Sequence, residues 1–215
     1  MSARRIAVVS AGLSNPSSTR MLADRLAAAT VRALEEGHGI EGQVDVFELR
    51  DHAHDITNNL LTGFAAPALE SMINAVVSAD AIIAVTPIFS TSYSGLFKSF
   101  VDILDPDALT GTPVLLGANA GTARHSLAID YALRPLFTYL HANPVPTGVF
   151  AASGDWGAGA DEVAPLGARV ERGARELAAA VAARAPLREE DPYDPASYLG
   201  EGRSFGHLLG GLAGE

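Results

Sequence analysis

Hydroxyl side chains cluster in one short stretch near the N-terminus. The stretch begins at Ser10, ends at Thr19 and includes Ser14, Ser17 and Ser18. It lacks the G-x-G-x-x-G pattern of dinucleotide-binding loops and the Gly-Lys-Ser/Thr of a P-loop. Hydroxyl donors beside the N–H groups at the start of a helix suit a terminal phosphate monoester, without a metal ion or a lysine. The alternative is that Ser17 or Ser18 only caps the helix.

A second stretch has a composition that suits a flat aromatic ligand. It covers residues 86–98 and follows an apolar run that Pro87 is expected to end. Its apolar side chains, Ile88, Phe89 and Tyr93, would then lie at the mouth of the loop. An aromatic ligand could lie against this backbone, and local packing of Phe89 and Tyr93 on the next helix is the equally open alternative.

A third stretch, residues 117–125, is small and polar and lets a ligand approach the main chain. It ends in Arg124 and His125, which are candidates for contacting a nucleotide. His52 and His54 form an H-x-H pair in a polar connection, where solvated histidines are favoured over metal ligands. The residue pattern indicates no metal site.

These loops require a scaffold that brings them together. Five apolar runs have the character of buried strands, and helical periodicity lies between them. This alternation predicts a parallel sheet with helices on both faces, in which the half-polar second run is an edge strand. Pro135 is expected to kink or divide the helix over 126–141. The runs are residues 6–9, 44–49, 81–85, 113–116 and 148–151.

Composition narrows the class of protein. The chain has 215 residues, a formal net charge of −10 and no cysteine, which excludes a disulfide, a thiolate nucleophile and a cysteine-based metal site. The acidic balance argues against nucleic-acid binding and against attraction to an anionic membrane, and no apolar run approaches the length of a membrane span. A soluble, cytoplasmic protein is therefore expected. The composition becomes Gly- and Pro-rich near residue 185, which divides a domain at 1–185 from a tail at 186–215.

Three motifs together resemble the NADPH-dependent FMN reductases. They are the hydroxyls after the first strand, Thr-Pro-Ile-Phe-x-x-x-Tyr-Ser-Gly-x-x-Lys at 86–98, and Gly-Thr-x-x-His at 121–125 followed by Asp-Tyr-Ala-Leu-Arg-Pro at 130–135. The similar subgroup supplies reduced flavin to two-component monooxygenases of the luciferase-like or alkanesulfonate type. The resemblance implies a flavodoxin-like fold over 1–185, with a five-stranded sheet of order 2-1-3-4-5.

The resemblance also implies a set of FMN-binding residues. Four hydroxyls would hold the phosphate, four residues would follow the isoalloxazine edge, and four would border its pyrimidine side. The phosphate group is Ser10, Ser17, Ser18 and Thr19; the group along the isoalloxazine edge is Pro87, Ile88, Phe89 and Ser90; and the group on the pyrimidine side is Asn119, Ala120, Gly121 and Thr122.

One part of the family pattern is absent. The family's Gly-Ser-x-Arg is replaced here by Ser-Ala-Gly-Leu-Ser at 10–14, so the sequence assigns no arginine to a phosphate.

The function implied by the resemblance is hydride transfer from NADPH to FMN, with reduced flavin passing to a partner monooxygenase. Three alternatives remain open: a quinone or azo-compound reductase of the same fold, a flavodoxin-type electron carrier, and a flavin-free signalling module. A homodimer or homotetramer is expected, with the flavin site near a subunit interface. The tail at 186–215 would then pack on the neighbouring subunit.

Overall fold

A computed structural model describes residues 3–156 and 165–185 of the chain. The strands are β1 (Arg4–Ser10), β2 (Gly42–Glu48), β3 (Ala81–Phe89), β4 (Ser92–Tyr93), β5 (Pro113–Ala120), β6 (Asn143–Pro144) and β7 (Val149–Ala152). The helices are α1 (Ser18–His38), α2 (Ala53–Thr62), α3 (Pro67–Val77), α4 (Gly95–Val101), α5 (Arg134–Tyr139) and α6 (Leu166–Ala183). Short 3₁₀ turns cover Leu49–His52, Ala123–His125 and Ser153–Trp156. The predicted tail at 186–215 lies outside the described residues, so it stays a prediction.

The sheet has the order β2-β1-β3-β5-β6, and β7 continues the β6 edge by pairing with the other half of β5. The five predicted runs lie in β1, β2, β3, β5 and β7, and this sheet is of the flavodoxin-like kind. The predicted count of five strands is wrong, because the described residues contain seven strands. The additional two, β4 and β6, are each two residues long, too short to show an alternating pattern.

Apolar side chains cover both faces of the sheet, as expected for parallel strands. On one face, α1 and α6 pack over β1, β3 and β5 through residues such as Leu26, Leu115 and Leu177. On the other face, α3, α4 and α5 bury residues such as Met72 and Phe97. The edge strand β2 is only half-buried, which confirms the prediction for the second run.

Two proline predictions have different outcomes. The predicted helix over 126–141 contains a π-helical turn at Ile129–Leu133 that continues without a break into helix α5, and Pro135 lies just after this junction. The helix therefore changes its hydrogen-bonding pattern beside Pro135, a residue that cannot donate a main-chain hydrogen bond. The expectation that Pro87 ends the third strand is wrong, since β3 continues to Phe89 by pairing with β4.

Among the described residues, no single helix has the length and hydropathy needed to cross a membrane. One pair of segments, Leu49–Thr62 and Pro67–Val77, meets the length and composition test only together, and it is bent by 90°.

Candidate functional site

A cleft of about 600 Å³ opens at the carboxyl ends of the central strands. The register pairs Ser10 with Val85 and Pro87 with Asn119, so the loops that follow β1, β3 and β5 begin side by side. This is the position at which open α/β sheets bind their ligands. The described residues that line the cleft are Leu13, Ser14, Ser18, Pro87, Ile88, Phe89, Asn119, Ala120, Gly121, Ser153 and Trp156.

The structure brings most of the predicted site residues into this cleft. Ser18, the segment 87–89 and the segment 119–121 line it. Ser10, Ser17, Thr19, Ser90 and Thr122 are not among the lining residues. Contact between any of these residues and a flavin stays a prediction.

The three consecutive hydroxyls at the start of α1 have different environments. Ser17 is buried and caps the helix, since its Oγ accepts a hydrogen bond from the N–H of Arg20 at 3.2 Å. Thr19 is also buried and directs its hydroxyl to Asn119. Ser18 is exposed and lines the cleft. The capping alternative is therefore correct for Ser17, and Ser18 is the member of this trio that lines the cleft.

Asn119 ties the end of β5 to the start of α1. Its Oδ1 accepts from the Thr19 hydroxyl at 2.8 Å, and its Nδ2 donates to the Ser18 Oγ at 2.9 Å. Because Ser18 is the acceptor in this contact, its own proton is left to donate to a ligand. Asn119 is 8% exposed, so this orientation is maintained by a well-buried amide.

Two arginines flank the hydroxyl-rich loop. The Arg50 guanidinium donates to the carbonyl of Ser14 at 2.7 Å and contacts Glu48 at 2.9 Å. Arg20 contacts the other Glu48 oxygen at 2.8 Å. Its hydrogen bond to Asp24 raises the pKa of Arg20 above its ordinary value. Both guanidinium groups are thus paired with carboxylates, and Arg50 supports the loop through the main chain.

Ser10 lies beneath this loop. Its side chain is fully buried, and its Oγ has no hydrogen-bond partner among the described residues. The loop that follows is tightly packed, because a Cβ at Gly12 would collide with the Ser17 Oγ. The contact of Ser10 with a phosphate stays a prediction.

The segment after β3 forms a tight hairpin at the edge of the cleft. Phe89 pairs with Ser92, and the two residues between them, Ser90 and Thr91, have φ values of 47° and 70°. Such a turn usually contains glycine or asparagine, and a β-branched residue at positive φ is an outlier that costs about 1–3 kcal/mol. Ser90 is therefore at the exposed tip of the turn, whereas Phe89, which is 48% exposed, lines the cleft.

The segment after β5 approaches the cleft with small residues. Ala120 and Gly121 line it, and a Cβ at Gly121 would meet no neighbouring atom. Thr122 uses its hydroxyl inside the loop, where it accepts from the N–H of Arg124 at 3.4 Å and caps a 3₁₀ turn. Thr122 is exposed and is not among the described lining residues.

Trp156 is a lining residue that the sequence prediction missed, together with Leu13, Ser14 and Ser153. The Asp155 carboxylate accepts from the N–H of Ala152 and from Arg169, both at 2.7 Å, and so holds the turn after β7. The Arg25 guanidinium lies 4.8 Å from the centre of the Trp156 ring. Ser14 belongs to the recognised hydroxyl cluster, but no local pattern marks Trp156, which is the single tryptophan of the chain.

The other candidates from the sequence, two histidines and a tyrosine, do not line the cleft. His52 ends a 3₁₀ turn and His54 is exposed on α2, so the polar connection after β2 is helical. The described part of the chain contains no group of three or more metal-ligating side chains. Tyr93 packs on Phe97, with ring centres 6.1 Å apart, which favours the packing alternative for that residue.

Comparison with known proteins agrees with this geometry. A crystal structure of an oxidoreductase from Corynebacterium diphtheriae has a TM-score of 0.81 and 45% identity, and the match covers 85% of this chain and 99% of that one. An FMN reductase (NADPH) of Pseudomonas aeruginosa is 34% identical over 85% of this chain and 95% of its own length. An NADH-dependent FMN reductase, SfnE, of Pseudomonas putida is 32% identical over 86% of this chain and 96% of its own length.

A family model described as NADPH-dependent FMN reductase matches residues 4–157. That span contains every strand of the sheet and every described residue that lines the cleft. The resemblance inferred from the sequence motifs is therefore confirmed, and the chain belongs to the NADPH-dependent FMN reductase family.

Proposed function

We propose that the cleft binds FMN, that NADPH reduces it there, and that the reduced flavin passes to a partner monooxygenase. Family membership makes the chain an NAD(P)H:FMN oxidoreductase, as the sequence predicts. The observation that carries the choice of site is the Ser18 hydroxyl, oriented by Asn119 at the start of α1 and facing the cleft. A hydroxyl donor at a helix N-terminus suits the phosphate of FMN.

The other lining residues fit the remainder of the same ligand. Pro87, Ile88 and Phe89 provide an apolar edge for an aromatic ring, and Ala120 and Gly121 leave room for a close approach. When bound, FMN supplies the hydride-accepting N5 atom, which is chemistry that no side chain of the cleft provides. The chain contributes orientation and main-chain N–H dipoles, which stabilise negative charge on the ring. We therefore assign no general acid or base.

The test is anaerobic mixing of the purified chain with FMN and NADPH, followed by flavin absorbance. Rapid bleaching supports the proposal, and flavin that binds but stays oxidised would instead indicate an electron carrier. Steady-state rates with FMN and with quinones then separate an FMN reductase from a quinone reductase. A chain that leaves FMN unbound would contradict the assignment of the cleft.

The same proposal includes a cytoplasmic homodimer or homotetramer. Three large apolar side chains lie on the surface and would favour association of subunits: Leu61 and Phe64 are each 81% exposed, and Tyr139 is 72% exposed. Light scattering should report a multiple of the 22.3 kDa chain mass. A monomer with full FMN reductase activity would show that association is not required.

A further inference from the structure

Trp156 forms one wall of the cleft, and contacts to two helices hold it there. The turn that carries it is fixed by Asp155, whose carboxylate accepts from the N–H of Ala152 and from Arg169 of α6. The Asp155 side chain is only 6% exposed, so this ion pair is well shielded from water. The Trp156 ring itself lies 4.8 Å from the Arg25 guanidinium of α1, a distance typical of a cation–π contact.

Arg25 lies on the same face of α1 as Ser18. It follows Ser18 by seven residues, which is about two helical turns and roughly 10 Å along the helix axis. Because the Trp156 ring contacts Arg25 and also lines the cleft, it lies against this face of the helix, on the C-terminal side of Ser18. The end of the cleft next to Ser18 is therefore bordered by an aromatic ring in the direction in which α1 runs.

This position matters for the length of the ligand. The apolar segment 87–89 suits the ring of a flavin, and the Ser18 hydroxyl suits its phosphate. A flavin that ends in a monophosphate stops at Ser18. A dinucleotide such as FAD continues from that phosphate into a second phosphate and an adenosine. The continuation leaves the cleft at the end where Trp156 lies.

We propose that Trp156 determines specificity, since its ring limits the cleft to flavins that end in a monophosphate, and that Arg25 is the positioning residue for this ring. Arg25 is exposed and is not among the described lining residues, so it acts through Trp156. A cation–π contact at an exposed site favours one orientation of the ring about two- to fivefold. The inference rests on the proposed function, because it takes Ser18 as the phosphate donor.

The first part of the test uses the chain without flavin. Trp156 is the single tryptophan, so its fluorescence reports the contact with Arg25 directly. Arg25→Gln should make the ring more accessible to quenching by acrylamide, whereas Arg25→Lys keeps a cation and should restore most of the protection. Arg32→Gln is the matched control, because it removes an exposed arginine from the same helix that pairs with Glu171 instead. This control should match the parent.

The second part compares FMN with FAD by calorimetry, which needs no NADPH. The parent should bind FMN more tightly than FAD. In Trp156→Ala, the ratio of the Kd for FAD to the Kd for FMN should fall roughly tenfold, because the ring no longer obstructs the second phosphate. In Arg25→Gln the same ratio should fall about two- to fivefold, and in Arg25→Lys and Arg32→Gln it should stay close to that of the parent.

Three results would overturn the inference. They are equal affinity of the parent for FMN and FAD, an unchanged ratio in Trp156→Ala, and parent-like acrylamide quenching in Arg25→Gln. Arg25→Gln changes an exposed helix position, so a folding defect in Trp156→Ala does not remove the test. Failure of the proposed function looks different, since FMN would then stay unbound or stay oxidised in the presence of NADPH. Failure of this inference alone leaves FMN binding and its reduction intact.

Discussion

Replacement of Asn119 by alanine tests the link between the sheet and the proposed phosphate site. The side chain makes two hydrogen bonds, one from the Thr19 hydroxyl and one to the Ser18 Oγ. Asn119→Ala leaves the Thr19 hydroxyl, which is 2% exposed, without its acceptor. An unsatisfied buried polar group costs about 1–3 kcal/mol, so the free energy of unfolding should fall by that amount. For a domain of this size, the melting temperature should fall by roughly 2–12 °C.

The same variant should weaken FMN binding. Ser18 loses the donor that fixes its hydroxyl, and a lost or misdirected bond to a phosphate costs about 1.5–3 kcal/mol, a roughly tenfold or greater rise in Kd. Urea unfolding measures the first effect, and quenching of flavin fluorescence during titration measures the second. Asn74→Ala, at an exposed position on α3, is the matched control and should match the parent chain in both assays.

Thr19→Val separates stability from binding. This substitution removes the buried hydroxyl but leaves the contact between Asn119 and Ser18, so it should lower stability with little change in the Kd for FMN. The reasoning is refuted if Asn119→Ala unfolds at the same urea concentration as the parent and binds FMN with the same Kd. An equal loss of FMN affinity in Thr19→Val and Asn119→Ala would show that Ser18 is not the group that Asn119 orients.

Three further predictions concern other described residues. FMN should quench the fluorescence of Trp156, the single tryptophan, because it lines the cleft; unchanged emission at saturating FMN would remove it from the site. Ser18→Ala should raise the Kd for FMN roughly tenfold and leave the Kd for riboflavin unchanged, and an equal effect on both flavins would argue against a phosphate contact. Asp80→Ala should lower the free energy of unfolding by about 3–5 kcal/mol, since it leaves Arg4, whose side chain is 7% exposed, without its carboxylate partner at 2.8 Å. A smaller loss in urea unfolding would mean that water or the Arg184 carbonyl, which also accepts a hydrogen bond from Arg4, compensates for the lost carboxylate.

The architecture was predictable because the requirements of a parallel sheet are visible in the local pattern. Strands covered on both faces must be apolar along their length, as in Ala81–Phe89, and the crossover helices between them must carry one apolar stripe. The half-polar pattern of Gly42–Glu48 marked the edge strand for the same reason. The two-residue strands β4 and β6 were missed because pairing, and no residue pattern, defines them.

The sequence also located the loops of the site, since parallel strands end at a common edge and hydroxyl and small residues follow three of them. It could not assign roles within Ser17, Ser18 and Thr19, because three adjacent residues of a helix start point in different directions. The structure directs one to the helix cap, one to Asn119 and one to the cleft.

The resemblance of short motifs indicated the family, and local composition indicated the α/β class and the three loops that border the cleft. Which of these side chains contact each other depends on the packing of the whole chain. Asn119 reaches Ser18 and Thr19 across about a hundred residues because β5 ends beside the start of α1. Trp156 enters the cleft because β7 pairs with β5 and Asp155 holds the turn that follows. Contacts between distant segments follow from packing the whole chain, and no local pattern encodes them.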